Sequence, residues 1–267
     1  MRNQASGLLQ TLRALDKNEF DEILILDDAS SQDITYLVQD ACQQLNLTNV
    51  KLFRSEENIG TFENLKRSFW LANSDYVTTM AAEDTLVTGF VDRLRTHIES
   101  KNRKIVYVPL IQGVTRGSNL EVGRPQFTEN PILDFLLLRN RNLSHGGGAT
   151  YPRLKVLQSN VMQVSTFNLV EDWLVFYLLA ESGFRLRAVE EVLYIHEVDS
   201  SKSAKAVRSE RHVLYESEIR RLILNRRLGL RLRLIVFLHG FLRRARRLFS
   251  FLQGRRGAIK IERDYKC

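Results

Sequence analysis

Two pairs of adjacent acids each stand directly behind an apolar run. Asp27-Asp28 follow "EILIL" in "EILILDDASSQD" (22–33), and Glu83-Asp84 follow "DYVTTMAA" (75–82). Neighbouring carboxylates repel one another, and that repulsion has to be offset. A divalent cation or hydrogen bonds from a ligand would offset it. Carboxylates with Mg²⁺ or Mn²⁺ are the usual way to hold a diphosphate. The bland reading of "DDASSQD" is a helix cap and a turn, for which Asp and Ser are well suited. Two acid pairs at equivalent strand ends are harder to dismiss in that way.

The elements that position these acids alternate. Leu8, Leu9, Leu12 and Leu15 have helical spacing over 5–15, and 22–26 read as a short strand. A helix follows over 34–45, with Asp33 a plausible N-cap. Residues 50–55 read as a strand, 61–73 as a helix and 75–80 as a strand. A helix over 87–100 and a strand over 104–111 come next. Such alternation with short loops predicts an α/β fold whose sheet is mostly parallel and flanked by helices. Ligands then sit beyond the carboxyl ends of the strands. If 22–26 and 75–80 are neighbours, four carboxylates crowd one rim. Residues 112–150 are less regular. "EDWLVFYLLAESG" (171–183) is a strongly apolar helix that opens on two acids and ends at Gly183.

Composition narrows the classes. The chain has 267 residues, 44% of them hydrophobic, enough for one domain with an appendage or for two small domains. Cys42 and Cys267 are the two cysteines, so neither a disulfide framework nor a Cys-rich zinc site can be built. A reducing, cytoplasmic setting is the default. The net charge of +8 is uneven. Residues 220–267 hold 15 Lys/Arg against 2 acids, so the preceding part is net acidic. The start lacks the apolar core of a secretory signal.

"EILILDDASSQD", "NIGTFENLKRSFWLANSDYVTTMAAEDTL" and "EDWLVFYLLAESG", in that order and spacing, resemble the family 2 glycosyltransferases of the GT-A fold. The resemblance covers about residues 3–203. It implies that Asp27 and Asp28, with Ser30 beside them, contact the base and ribose of a nucleotide-diphosphate sugar, and that Asn58 and Gly60 form a loop near the nucleotide. It implies a metal and diphosphate site at Glu83 and Asp84, with His196 nearby. Ala81 stands where the family's first metal-site acid falls. Asp172, or else Glu171, becomes the base that deprotonates the acceptor hydroxyl in a single inverting displacement. Without the resemblance, acids opening a helix are explained by the helix dipole. "SHGGGATYPR" (144–153) matches a small-residue loop near the donor sugar. Its Gly147 and Gly148 would let backbone approach a ligand, and Trp173 would border the acceptor, core being the simpler reading. The family's usual first strand is not found ahead of Asn3, so a shortened N-terminus is expected.

The expected domains are a catalytic one over 1–205 and a basic amphipathic helical extension over 206–267. Arg pairs alternating with Leu and Phe fit a helix lying on anionic lipid, at about 1 kcal/mol per Arg. The longest charge-free apolar stretch there, 234–242, is far below the ~20 residues of a spanning helix. The expected partners are thus a nucleotide sugar, a glycan or lipid-linked acceptor and the inner face of the cytoplasmic membrane, without nucleic acid. Two rival readings are a sugar-phosphate nucleotidyltransferase and a non-catalytic relative that only binds sugar nucleotide or membrane. The first should show a Gly-rich basic loop after its first strand, and none is visible.

Overall fold

The computed structural model describes residues 7–98, 103–115, 118–165, 171–197, 202–228 and 232–238. The chain divides into two compact units, Met1–Leu224 and Asn225–Cys267.

In the first unit, α1 (Leu8–Asp16) leads to β1 (Ile23–Asp27), α2 (Thr35–Leu45) and β2 (Val50–Arg54). β1 alternates as its pleat requires: Ile23, Ile25 and Asp27 are buried, Leu24 and Leu26 partly so. Ile23 and Ile25 pack with Leu8 and Leu12 of α1 and with Val38 and Ala41 of α2. The N-cap of α2 is Ile34, one residue after the expected Asp33, whose Oδ1 accepts from the Thr35 N–H at 2.9 Å. α3 (Thr61–Leu71), β3 (Tyr76–Thr78), β4 (Thr85–Leu86) and α4 (Phe90–His97) follow.

β5 (Ile105–Thr115) turns into β6 (Ser118–Gly123), and α5 (Pro131–Leu138), β7 (Thr150–Pro152) and α6 (Arg153–Leu157) come next. α7 (Glu171–Glu181), β8 (Arg185–Glu197) and α8 (Lys202–Asn225) close the order. From Trp173 to Ala180 every residue of α7 is buried, which is why its sequence shows no polar face. α5 packs on α7 through Phe135 stacked on Tyr177 at 5.3 Å. α7 ends where Gly183 takes φ +81°, a conformation glycine adopts without penalty.

The sheets join the expected parallel pairings to short antiparallel returns. β1 and β2 pair in parallel as a two-stranded sheet, and the second sheet runs β3-β7-β5-β8-β4 with β6 beside β5. Only β5–β8 is parallel there; β3–β7, β5–β7, β4–β8 and β5–β6 are antiparallel. The antiparallel returns come from β4, β6 and β7, which have six residues or fewer and little periodicity of their own. Among the described residues β1 and β3 are not paired, so their acids do not share a rim as sheet neighbours. The second core joins Leu86, Phe90 and Leu94 to Tyr107, Ile111, Leu193 and Tyr194.

In the second unit, a helix over 232–238 exposes Leu234, Phe237 and Leu238. The basic segment beyond residue 238 lies outside the described residues.

Candidate active site

At the end of β1 the first acid pair turns inward. Asp27 is fully buried, and its Oδ1 accepts from the Ser30 N–H at 3.2 Å and from the Ser30 hydroxyl at 2.5 Å. Its Oδ2 has no hydrogen bond, with Arg54 Nε 3.7 Å away. Asp28 accepts from the N–H groups of Ile59 (2.7 Å) and Gly60 (3.0 Å), which pins the loop before α3. Asn58 Oδ1 also receives the Gly60 N–H, at 3.3 Å. Gly60 takes φ +86° there, and Ala29 takes φ +54°. Beyond these strand ends opens a cavity of about 420 Å³, lined by Ala29, Ser30, Arg54, Ser55 and Glu56. Ser30 is among its lining residues. Asp27 and Asp28 brace its walls instead of lining it.

The second pair behaves likewise. Asp84 is buried. It accepts from the Tyr194 hydroxyl (2.5 Å), from the Glu197 N–H (3.0 Å) and from His196 Nδ1 (3.0 Å). Burial, and then the Asp84 charge, push the Tyr194 phenol well above its ordinary range. Glu83, at φ +82°, donates its N–H to Thr11 Oγ1 at 3.1 Å. These residues suit a divalent cation in part. A carboxylate behind an imidazole is how metal-binding histidines are oriented, and Glu83 is a half-buried carboxylate at the same strand end. Asp84 itself is committed to protein donors. Among the described residues no three His, Cys, Asp or Glu side chains converge as cation ligands, so phosphate or water oxygens would complete the shell.

The third site is built around Asp172 at the start of α7. Its Oδ2 accepts the Gly146 N–H at 3.1 Å. Its Oδ1 accepts the Trp173 N–H at 2.7 Å and Asn142 Nδ2 at 3.5 Å. Burial pushes the Asp172 carboxyl up, against the opposing pull of His145 and these hydrogen bonds. The side chain of Glu171 lies outside the described residues.

A run of three glycines ties the second and third sites together. A Cβ on Gly146 would lie 2.8 Å from Asp172 Cβ, and one on Gly147 would lie 2.5 Å from Tyr194 Cε1. Gly148, at φ +70°, donates to Thr79 O at 2.9 Å, just past β3. These glycines therefore admit Asp172 and Tyr194. His145 Nδ1 accepts the Gly147 N–H at 3.2 Å, and its ring lies 5.2 Å from that of His196.

The sequence-predicted residues thus separate into two groups. Asp84, His196, Gly147, Gly148 and Asp172 come together. Asp27, Asp28, Ser30, Asn58 and Gly60 form a separate cluster at the end of β1. α1 touches both, through Leu8 and Leu12 on one side and Thr11 on the other. Trp173 is a correction: it is 1% exposed, and its Nε1 donates to Leu138 O at 2.7 Å. It belongs to the core because α7 is buried all round. Residues missed by sequence reasoning are His145, Asn142, Tyr194 and Arg54. Tyr194 carried a signal, since it stands two residues from His196 on one strand face.

A sequence model described as "Glycosyl transferase family 2" matches residues 1–154. No curated protein matches the chain. Among solved structures, residues 1–349 of S. aureus TarS in complex with UDP-GlcNAc align at a TM-score of 0.63 and 16% identity, over 88% of this chain and 68% of that one. The mannosyltransferase PcManGT from Pyrobaculum calidifontis, with GDP-Man and Mn²⁺, gives 0.59 and 14%, over 91% and 67%. GalNAc-T7 with UDP, GalNAc and Mn²⁺ gives 0.54 and 18%, over 72% and 41%. The chain shares their GT-A fold.

Proposed function

The chain belongs to glycosyl transferase family 2, and on that premise we propose that it moves one sugar from a nucleotide-diphosphate donor to a glycan or lipid-linked glycan, with inversion, in surface polysaccharide synthesis. The observation that carries this reading is Asp172. Its half-buried carboxyl is pushed upward by desolvation, and it is fixed by the Gly146 N–H beside the Asp84–His196 pair. A carboxylate whose affinity for protons is raised toward working pH suits a general base.

In the proposed step Asp172 takes the proton of an acceptor hydroxyl. The hydroxyl oxygen bonds to the anomeric carbon, the bond from that carbon to the β-phosphate oxygen breaks, and the nucleoside diphosphate leaves with the electron pair. The nucleotide fits the cavity at the ends of β1 and β2. Mg²⁺ or Mn²⁺, met by His196 and Glu83 with Asp84 behind His196, would supply charge neutralisation on the leaving diphosphate. The catalytic part is placed at 1–205, and the basic extension at 206–267 is assigned to anionic lipid on the inner membrane face. Among the described residues no helix is long and apolar enough to cross a membrane.

The test is nucleoside diphosphate release from a panel of nucleotide sugars with Mn²⁺, for the wild type and Asp172→Asn. A fall of at least 100-fold in the variant is expected, with donor-induced thermal stabilisation unchanged. Equal turnover by both forms rules out Asp172 as the base. Pyrophosphate-dependent formation of nucleoside triphosphate would favour a nucleotidyltransferase.

A further inference from the structure

A second, smaller cavity of about 220 Å³ lies beside the turn that precedes Gly146, and of its lining residues His196 alone has a role above. Its walls are Ser144, His145 and His196, its floor is Ile111, Gly113 and Gly123 of the β5–β6 hairpin, and Arg124 stands at its rim. It falls below the ~300–1,000 Å³ of pockets for drug-sized ligands. That leaves room for one monosaccharide rather than a nucleotide.

His145 gives the cavity its chemistry. Its Nδ1 accepts the Gly147 N–H at 3.2 Å, so in the neutral ring the proton is on Nε2. The side chain is exposed. Among the described residues no protein group accepts from Nε2, so a donor stands without a partner at the wall of a cavity. The next residue, Gly146, holds Asp172, and His145 acts electrostatically on that carboxylate. Arg124 is already engaged by Glu190 at 3.3 Å, so His145 is the uncommitted polar group on this wall.

We propose that this cavity receives one hexose-sized unit of the acceptor, and that His145 donates from Nε2 to it and keeps its hydroxyl turned toward Asp172. This rests on the transferase reading and adds where the acceptor binds and which side chain selects it. At Gly123 a Cβ would have only ordinary contacts, 3.6 Å from Ile111 O. A larger side chain is therefore tolerated by the fold and takes space from the cavity.

The test uses the full chain and saturation-transfer NMR with a panel of methyl hexosides, in the presence of UDP and Mn²⁺. The wild type is expected to bind at least one hexoside. Gly123→Leu should abolish the signal and His145→Ala should reduce it at least fivefold, while His145→Gln, which keeps a donor, should restore most of it. Thermal stabilisation by UDP or GDP should be unchanged in all three variants. Absence of any hexoside signal from the folded wild type overturns the proposal, as does binding that both variants leave intact. Loss of the hexoside signal when UDP-GlcNAc or GDP-Man replaces the free diphosphate would assign the cavity to the donor's own sugar and also overturn it. Failure of the wild type to be stabilised by any nucleoside diphosphate or nucleotide sugar counts against the transferase reading instead, and is read separately.

Discussion

Gly147→Ala is the substitution that probes the link between the two acid centres most directly. The added Cβ would lie 2.5 Å from Tyr194 Cε1, 2.6 Å from Cζ and 3.0 Å from Cδ1. The ring has nowhere to retreat. It is fully buried in the Leu86–Phe90–Leu193 core, its hydroxyl donates to Asp84, and that same oxygen accepts the Ala81 N–H at 3.2 Å. Overpacking of this kind costs about 1–3 kcal/mol. Displacing a buried hydrogen bond to a carboxylate adds about 1.5–3 kcal/mol when it is lost outright. Taking partial loss, about 3 kcal/mol is expected, or a fall of roughly 6–12 °C in Tm for a chain of this size. Gly183→Ala is the control: at φ +81° with nothing within 4 Å, it carries the backbone term alone, about 1 kcal/mol. In the double variant Gly147→Ala/Tyr194→Ala the clash is gone, so the losses should fall short of additivity by at least 1 kcal/mol. Calorimetry or urea unfolding of the wild type, the two single variants, the double variant and the Gly183→Ala control decides it. A Gly147→Ala loss no larger than the control's, or strict additivity in the double variant, would show that Gly147 is not there to admit the Tyr194 ring.

Ala29→Gly should stabilise the chain by roughly 0.5 kcal/mol, because φ +54° strains an alanine and not a glycine; a lower urea midpoint would contradict this. Glu22 is a pH-dependent brace. Burial by itself raises its carboxyl, but hydrogen bonds from the backbone and side chains of Asn73 and Ser74 bring it from 4.5 down to about 2. Its stabilisation is therefore complete above about pH 4.5 and is lost as pH falls toward 2. The Tm gap between wild type and Glu22→Gln, set by about 2 kcal/mol at pH 7, should close over that window; a gap independent of pH refutes the assignment. For the basic extension, removal of residues 220–267 should abolish flotation with anionic liposomes, and equal flotation of both forms excludes it as the lipid-binding segment.

The order of elements was legible in the sequence, and the sheet was not. The helix over 34–45 and the strand over 50–55 match α2 and β2 to within a residue, because apolar spacing sets both. Asp33 and Gly183 mark helix ends through local chemistry that any strand arrangement would keep. Strand direction has no such local mark. β7 is three residues directly behind a glycine loop, and it pairs with β3 across more than seventy residues of chain. The candidate site divides in the same way. Adjacent acids behind apolar runs locate the strand ends, but which way a carboxylate turns is decided by distant partners. Asp84 turns inward because Tyr194 and His196, 110 and 112 residues later, meet it there. His145 had no signal at all beyond its place before three glycines.

Which carboxylate suits the proposed role of base follows from how each is held. Asp28 and Asp84 sit in the path of several strong donors: two backbone N–H groups for the first, and a phenol, an imidazole and an N–H for the second. Donors of that kind hold each carboxylate against the protein. Asp172 has two backbone N–H groups and a long contact from a neutral amide, and burial outweighs them. The net effect raises its affinity for a proton. Of Asp28, Asp84 and Asp172, Asp172 is the one whose surroundings suit the proposed uptake and release of a proton. Asp84 does the complementary work of holding the residues, Tyr194 and His196, against which the Gly146–Gly148 loop and hence Asp172 are set. Carboxylates that differ this way in environment separate structural from proton-transfer roles, and the glycine run is the physical contact through which one constrains the other.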